Sequence, residues 1–268
     1  MVDYYPLDKI FVQGTNYELP NDRFYVIKKI GTDATSATKL KIDGVDTGPI
    51  INSVAPLHKT SSNLLGPLDL GNLFYVVPPN KTFSVEGASG AKFRCIGLIG
   101  KLAPGEAMPA QYAGRFNEQG KHYLTYVTGS KDVGADVSWA AGAEYEVYSL
   151  TPKTIEQYIF NNVVMASISG DTVAEGDFGI IFYLDGTPLD ILTTDPGKKG
   201  IDVLSMPSPP AATTEEIPFT LKDLPIKVEG DHTFKVTAIN NSGAAKAPAS
   251  GSSWSIALKA IVEYIMRG

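Results

Sequence analysis

One short phrase recurs four times along this 268-residue chain, and its recurrence limits the fold more than any other feature. Each copy is a few extended residues, a kink usually rich in Pro, Gly or Asn, and an aromatic that opens an alternating run. The copies occupy residues 17–27, 76–85, 137–147 and 226–236. Alternation such as Phe83/Val85 or Phe234/Val236 has period two, which turns one row of side chains inward from a strand. Pro, Gly and Asn supply the backbone angles that a turn needs. Each copy therefore predicts two strand segments joined by a tight corner.

A second phrase occurs twice, as Leu40-Lys41-Ile42-Asp43-Gly44 and Phe182-Tyr183-Leu184-Asp185-Gly186. Asp-Gly after alternating apolar residues is a hairpin signal, because a type I′ turn requires positive φ at both central positions. A third feature is a long final strand, at 91–102 and again at 253–266. Each half of the chain thus reads kink, Asp-Gly hairpin, kink, closing strand. The centres fall near Phe24, Asp43, Phe83 and Arg94, then near Tyr145, Asp185, Phe234 and Ile256. Four elements in one order, twice, point to a tandem duplication. The spacing is uneven: Tyr145 to Asp185 is about twice the distance from Phe24 to Asp43.

The expected fold class is all-β: two tandem antiparallel β-sandwich modules, jelly-roll-like. The first spans 1–127, with 103–127 part of it or a linker, and the second spans 128–268. An aromatic share of 10%, with 26 Gly and 18 Pro, suits strands and frequent turns. Two segments stand apart. Thr151-Pro152 places an N-cap residue before a Pro at N1, with apolar residues following at helical spacing, so a short helix is predicted near 151–161. Residues 257–266 have helical propensity, but the alternation of Trp254, Ile256 and Leu258 favours a strand. Residues 103–120, 193–216 and 240–253 read as long loops, of the kind that carry function or move.

No residue constellation for catalysis emerges, and the chain is not expected to be an enzyme. The three histidines, His58, His122 and His232, lie far apart without His-x-His or His-x-x-x-His spacing, so no metal site is expected. The kinks are superficially like a cupin corner, but only His232 lies near one, at the wrong offset from Gly230. Nucleophile elbows and phosphate-binding glycine loops are missing. Carboxylates occur in pairs, Asp43 with Asp46, Asp185 with Asp190 and Glu215 with Glu216. Asp43 and Asp185 are best explained as turn formers. Asp43/Asp46 and Asp171/Glu175/Asp177 are candidates for structural Ca²⁺ bound through loop oxygens, although neither matches an EF-hand loop. No other cofactor is expected.

A net charge of −6 and a pI near 5.1 argue against specific nucleic-acid binding. Cys95, the one cysteine, sits in an apolar run and reads as a buried, inert thiol. Met1-Val2-Asp3-Tyr4-Tyr5-Pro6 lacks the basic and apolar regions of a signal peptide, so none is expected. The longest apolar stretches fall short of the ~20 residues that span a bilayer.

Two tandem sandwich modules, corner phrases such as Val77-Pro78-Pro79-Asn80-Lys81-Thr82-Phe83 and the lack of a catalytic constellation together resemble viral jelly-roll coat proteins. The arrangement is most similar to the double jelly-roll major capsid proteins of tailless, internal-membrane DNA viruses, over residues 17–266. That resemblance implies a major capsid protein located in the virion and made in the host cytoplasm. It implies homotrimers that form pseudo-hexameric capsomers in a capsid lattice, beside other virion proteins and in peripheral contact with an internal viral membrane. Two related modules per chain would give each trimer six similar corners. The competing reading is a carbohydrate- or receptor-binding module of a spike or fibre, with Tyr112, Phe116, Tyr123 and Tyr126 as candidate contact residues.

Overall fold

Alternation in the sequence becomes strand almost throughout the computed structural model, which describes residues 1–58, 66–87, 90–189, 197–207, 221 and 223–268. The chain divides into two units, Met1–Tyr126 with Glu263–Met266, and Val127–Val262 with Arg267–Gly268.

The first unit contains β1 (Asp3–Val12), β2 (Asn16–Glu18), β3 (Arg23–Thr32), β4 (Thr38–Ile42), β5 (Val45–Ile51), β6 (Leu68–Asp69), β7 (Tyr75–Val77), β8 (Thr82–Glu86), β9 (Lys92–Lys101) and the helix α1 (Ala110–Glu118). One antiparallel sheet has the order β1-β9-β3-β6 and the other β2-β8-β4-β5. β7 pairs with β3 as β6 does: Ile27 faces Tyr75 and Lys29 faces Asp69. β6 and β7 therefore count as one interrupted sixth strand.

The second unit is built from β10 (His122–Ala135), β11 (Glu144–Leu150), β12 (Glu156–Phe160), β13 (Val164–Ser169), β14 (Phe178–Leu184), β15 (Thr187–Pro188), β16 (Ile201–Asp202), β17 (Ile226–Val228), β18 (Phe234–Asn240) and β19 (Ser253–Met266). β10 and β19 each have residues in both units. The sheets run β10-β19-β12-β17, with β13 also on β19, and β11-β18-β14-β15, with β16 also on β14. β12 and β13 make an interrupted third strand, and β15 and β16 an interrupted fifth. Numbered within its unit, each half has strand order 1-8-3-6 in one sheet and 2-7-4-5 in the other. Two four-stranded sheets in that order are a jelly roll.

Large apolar side chains fill the space between the sheets. In the second unit Phe178 lies 4.7 Å from Trp139 and 5.0 Å from Trp254, and Phe160 lies 4.3 Å from Phe234, centroid to centroid. In the first unit Phe11 sits 4.8 Å from both Tyr17 and Phe83. Cys95 is fully buried on β9, and burial pushes its thiol pKa up, so it stays protonated and inert. Glycine inside the central strand β9 has a packing reason. The Phe24 ring comes within 2.2 Å of where a Cβ on Gly100 would sit.

Three sequence expectations change. No helix forms near 151–161: Glu156–Phe160 is β12, with Tyr158 facing Val228 on β17. The Thr151-Pro152 signal serves a turn instead, in which the Pro152 carbonyl accepts from the Asp231 N–H and the Lys153 carbonyl from the Glu156 N–H. Cap and turn chemistry use the same residues, and the sheet's demand for a third strand decides between them. The short helix lies instead at Ala110–Glu118, inside the segment expected to be a loop at 103–120.

The first kink phrase is also not equivalent in the two halves. Residues 17–27 join strands two and three, β2 and β3, whereas residues 137–147 lead into strand two, β11. This mismatch accounts for the uneven spacing, because the counterpart of β3 is β12, the segment predicted as helix. The Asp-Gly hairpins, the later kinks and the closing strands do correspond. Much of the loop expected at 193–216 lies outside the described residues.

Candidate functional site

The two Asp-Gly hairpins build the same local device in both units. Asp43 and Gly44 have φ of 49° and 77°, and Asp185 and Gly186 have φ of 50° and 77°. Aspartate tolerates this left-handed region better than most residues with a side chain, and glycine enters it freely. Each hairpin joins strands four and five, and each Asp reaches across to the start of strand seven.

In the first unit the Asp43 N–H donates to the Thr82 carbonyl at 2.9 Å. Asp43 Oδ1 accepts from the Thr82 N–H at 3.1 Å and from its hydroxyl at 3.0 Å, while Lys81 Nζ donates to Oδ2 at 2.6 Å. In the second unit the Asp185 N–H donates to the Thr233 carbonyl at 2.8 Å. Asp185 Oδ1 accepts from the Thr233 N–H at 2.9 Å, and His232 Nδ1 lies 2.6 Å from Oδ2. Asn80 and Asp231, one residue before Lys81 and His232, both have positive φ, at 57° and 68°. Phe83 and Phe234, one residue after the threonines, are both buried. The bonds from Lys81 and from His232 hold the Asp43 and Asp185 carboxyls below their usual pKa, and the Asp185 bond raises that of His232. Asp43 and Asp185 are thus turn formers, and His232 is a corner residue paired with Asp185.

Equivalent sheet faces differ in their chemistry. On the first unit's β4, β5 and β8, Lys39 and Lys41 interleave with Asp46 and Glu86, with Lys39–Asp46 at 2.6 Å and Lys41–Glu86 at 2.5 Å. On the second unit's corresponding sheet, Lys235 Nζ lies 4.7 Å from the centre of the Tyr183 ring. The Tyr183 hydroxyl and the Thr237 hydroxyl both donate to Glu144.

Helix α1 contributes two residues that the sequence reading missed. The Arg115 guanidinium is buried and donates to the carbonyls of Phe74, at 2.8 Å, and His122, at 2.7 Å. The fully buried Gln119, one turn later, donates to the Val76 carbonyl at 3.0 Å and accepts from the Val76 N–H at 2.8 Å. Together they occupy the free edge of β7. The signal that could have found them is their spacing of four residues, one helical turn, in a segment that follows Pro109.

Three of the candidate calcium carboxylates have other partners. Asp43 serves Lys81 and Thr82, Asp46 serves Lys39, and Asp177 accepts from Lys246 Nζ at 2.8 Å and from the Ala174 N–H. Among the described residues no three His, Cys, Asp or Glu side chains converge. Asp190, Glu215 and Glu216 lie outside the described residues. His122 contacts Glu263.

The aromatic candidates Tyr112, Phe116, Tyr123 and Tyr126 are half-buried rather than displayed. Tyr112 packs against Phe24 and Phe74, and Tyr123 lies 5.0 Å from Tyr264.

No family model and no curated protein matches the chain. Among solved structures it is weakly similar to a turret protein of Sulfolobus turreted icosahedral virus, at 12% identity over 97% of this chain and 98% of that one, with a TM-score of 0.20. It is also weakly similar to the PBCV-1 virus capsid, at 12% identity over 99% of this chain and 95% of that one, TM-score 0.32. A beta-porphyranase of glycoside hydrolase family 86 from Bacteroides plebeius scores 0.21 at 8% identity, over 95% of this chain but 36% of that one. Likenesses this slight decide nothing about function, and the jelly-roll fold rests on strand order alone.

Residues 240–253 form the expected loop between β18 and β19, and side-chain hydrogen bonds anchor it. Asn240 Nδ2 donates to the carbonyls of Trp139 and Ala244, the Trp254 indole donates to the Lys246 carbonyl, and the Trp139 and Lys246 backbones pair. A run rich in Ser, Gly and Ala looked mobile because its anchors, Trp139 and Asp177, are distant in sequence. Among the described residues no helix is long and apolar enough to cross a membrane.

Proposed function

We propose that the chain is a structural virion protein, a major capsid protein that assembles as trimers into pseudo-hexameric capsomers. One observation carries this reading: a single chain holds the same eight-strand order twice, closed at the same corner by the same Asp-to-Thr device. A protein that tiles a surface gains from this arrangement, because three chains present six similar sandwiches and so meet a hexagonal lattice with three-fold symmetry. The differing sheet faces, interleaved Lys and acidic residues in one unit and Lys235, Tyr183 and Glu144 in the other, suit the two kinds of neighbour that such a pseudo-six-fold body meets. The role is mechanical rather than catalytic, in the virion, beside other virion proteins and against an internal membrane.

Multi-angle light scattering across a concentration series tests the proposal. It predicts a species of three times the 28.7 kDa chain mass, growing to larger assemblies. A lone chain at every concentration, with and without Ca²⁺, contradicts it.

A further inference from the structure

The paired corners differ at one position whose chemistry depends on pH. Lys81 faces Asp43 in the first unit, and His232 faces Asp185 in the second. Backbone angles, the threonine N–H bonds to Asp and the buried Phe that follows are matched. The Thr82 hydroxyl donates to Asp43, the Thr233 hydroxyl pairs with Thr151 and Asn80 stands where Asp231 does, so the first corner is a near-matched control. We propose that the Asp185–His232 contact makes the corner between strands six and seven of the second unit a pH-responsive clamp, tightened by the imidazolium, while the Asp43–Lys81 clamp of the first unit ignores the same pH range. This inference stands apart from the capsid reading and needs only the fold.

The chemistry follows from the two cations. A lysine ammonium keeps its charge throughout the neutral range, whereas an imidazole titrates within it. The charged groups acting on His232 are Asp185, across the corner, and Glu229 and Asp231, beside it. Residues 151–156 also pack on this corner: the Asp231 N–H donates to the Pro152 carbonyl, and the Thr154 hydroxyl donates to Asp231. That segment brings Lys153 and Glu156, and the Glu156 carboxylate accepts from the Lys153 N–H. Arg267 engages Glu229 at 3.3 Å. The three carboxylates around the ring all favour its protonated form, with the hydrogen bond it donates to Asp185 the largest cause.

The direction of the effect is fixed by the raised His232 pKa. Its contribution is fully present below the unfolded imidazole value, ~6.5, and is lost as pH rises through the higher folded value. Asp185, with a lowered pKa, stays ionised across that window. The Thr233 N–H bond to Asp185 should therefore loosen on the alkaline side, and the Thr82 N–H bond to Asp43 should not.

Amide hydrogen exchange on the full chain reads both corners in one sample. From about pH 5.5 to 8.5, across the imidazole range, protection is compared at Thr233 and Thr82 after correction for intrinsic exchange. Thr233 protection should fall about 1.4- to 5-fold as pH rises, the span that an exposed ion pair covers, with Thr82 flat. His232→Lys should flatten the Thr233 profile, and Lys81→His should give Thr82 the same fall. A flat Thr233 profile, equal falls at both threonines, or an unchanged fall in His232→Lys overturns the proposal.

Discussion

Gln119 stands in for a neighbouring strand at Val76. Its side-chain amide donates to the Val76 carbonyl and accepts from the Val76 N–H, the two bonds that a paired strand would make there. Arg115 fills the carbonyl next to it, at Phe74. An open sheet edge invites pairing with other chains, and here one turn of helix closes it.

Replacing Gln119 with Leu keeps the volume and removes both bonds. Two buried backbone groups on β7 lose their partner, and each such loss costs about 1–3 kcal/mol. Urea denaturation should show a clear drop in midpoint, and the variant should self-associate more readily through the exposed edge. An unchanged midpoint would mean that the edge does not depend on this side chain.

Asp43 and Asp185 combine a turn conformation with a carboxylate that holds strand seven. Asn accepts the same positive φ and still offers an oxygen to the threonine N–H, but carries no charge. Ala accepts neither role. Melting temperatures should therefore fall in the order wild type, Asp→Asn, Asp→Ala at both positions. Equal effects of Asn and Ala would remove turn conformation from the explanation.

Carboxylates held below their usual pKa set the acid limit of stability. Bonds from Lys41 to Glu86, from Lys39 to Asp46, from Arg94 to Asp8 and from Lys81 to Asp43 all lower the acid's pKa. The stability they add is present above the unfolded carboxylate range, ~4, and is lost as pH falls through the lower folded values. Urea midpoints should hold steady from neutral pH down to that range and then decline. Lys41→Gln should shrink the decline, and a decline centred well above the carboxylate range would point to other groups.

Much of this fold could be read from sequence because strand alternation and Asp-Gly turns are local. The hairpins at Asp43 and Asp185 and the strand ending at Met266 follow from neighbours a few residues away. The misread parts depend on distant partners. Residues 156–160 carry a helix-start signal at Thr151-Pro152, yet they become strand because β17 and β19 lie alongside. Arg115 and Gln119 look like ordinary helix-surface residues until β7 packs beside them. At the corner, Asp185 announced the turn, while its link to His232 and Thr233 crosses more than forty residues and becomes visible only when the strands are paired.

In the proposed capsid role, three chains with two jelly rolls each should build a three-fold body with six similar lobes. Electron microscopy of the purified full chain at high concentration addresses it most directly. Class averages should show three-chain particles with a near-hexagonal outline of six lobes, some laterally joined. Averages showing only single chains, even at the highest concentrations, would contradict the trimeric capsid role.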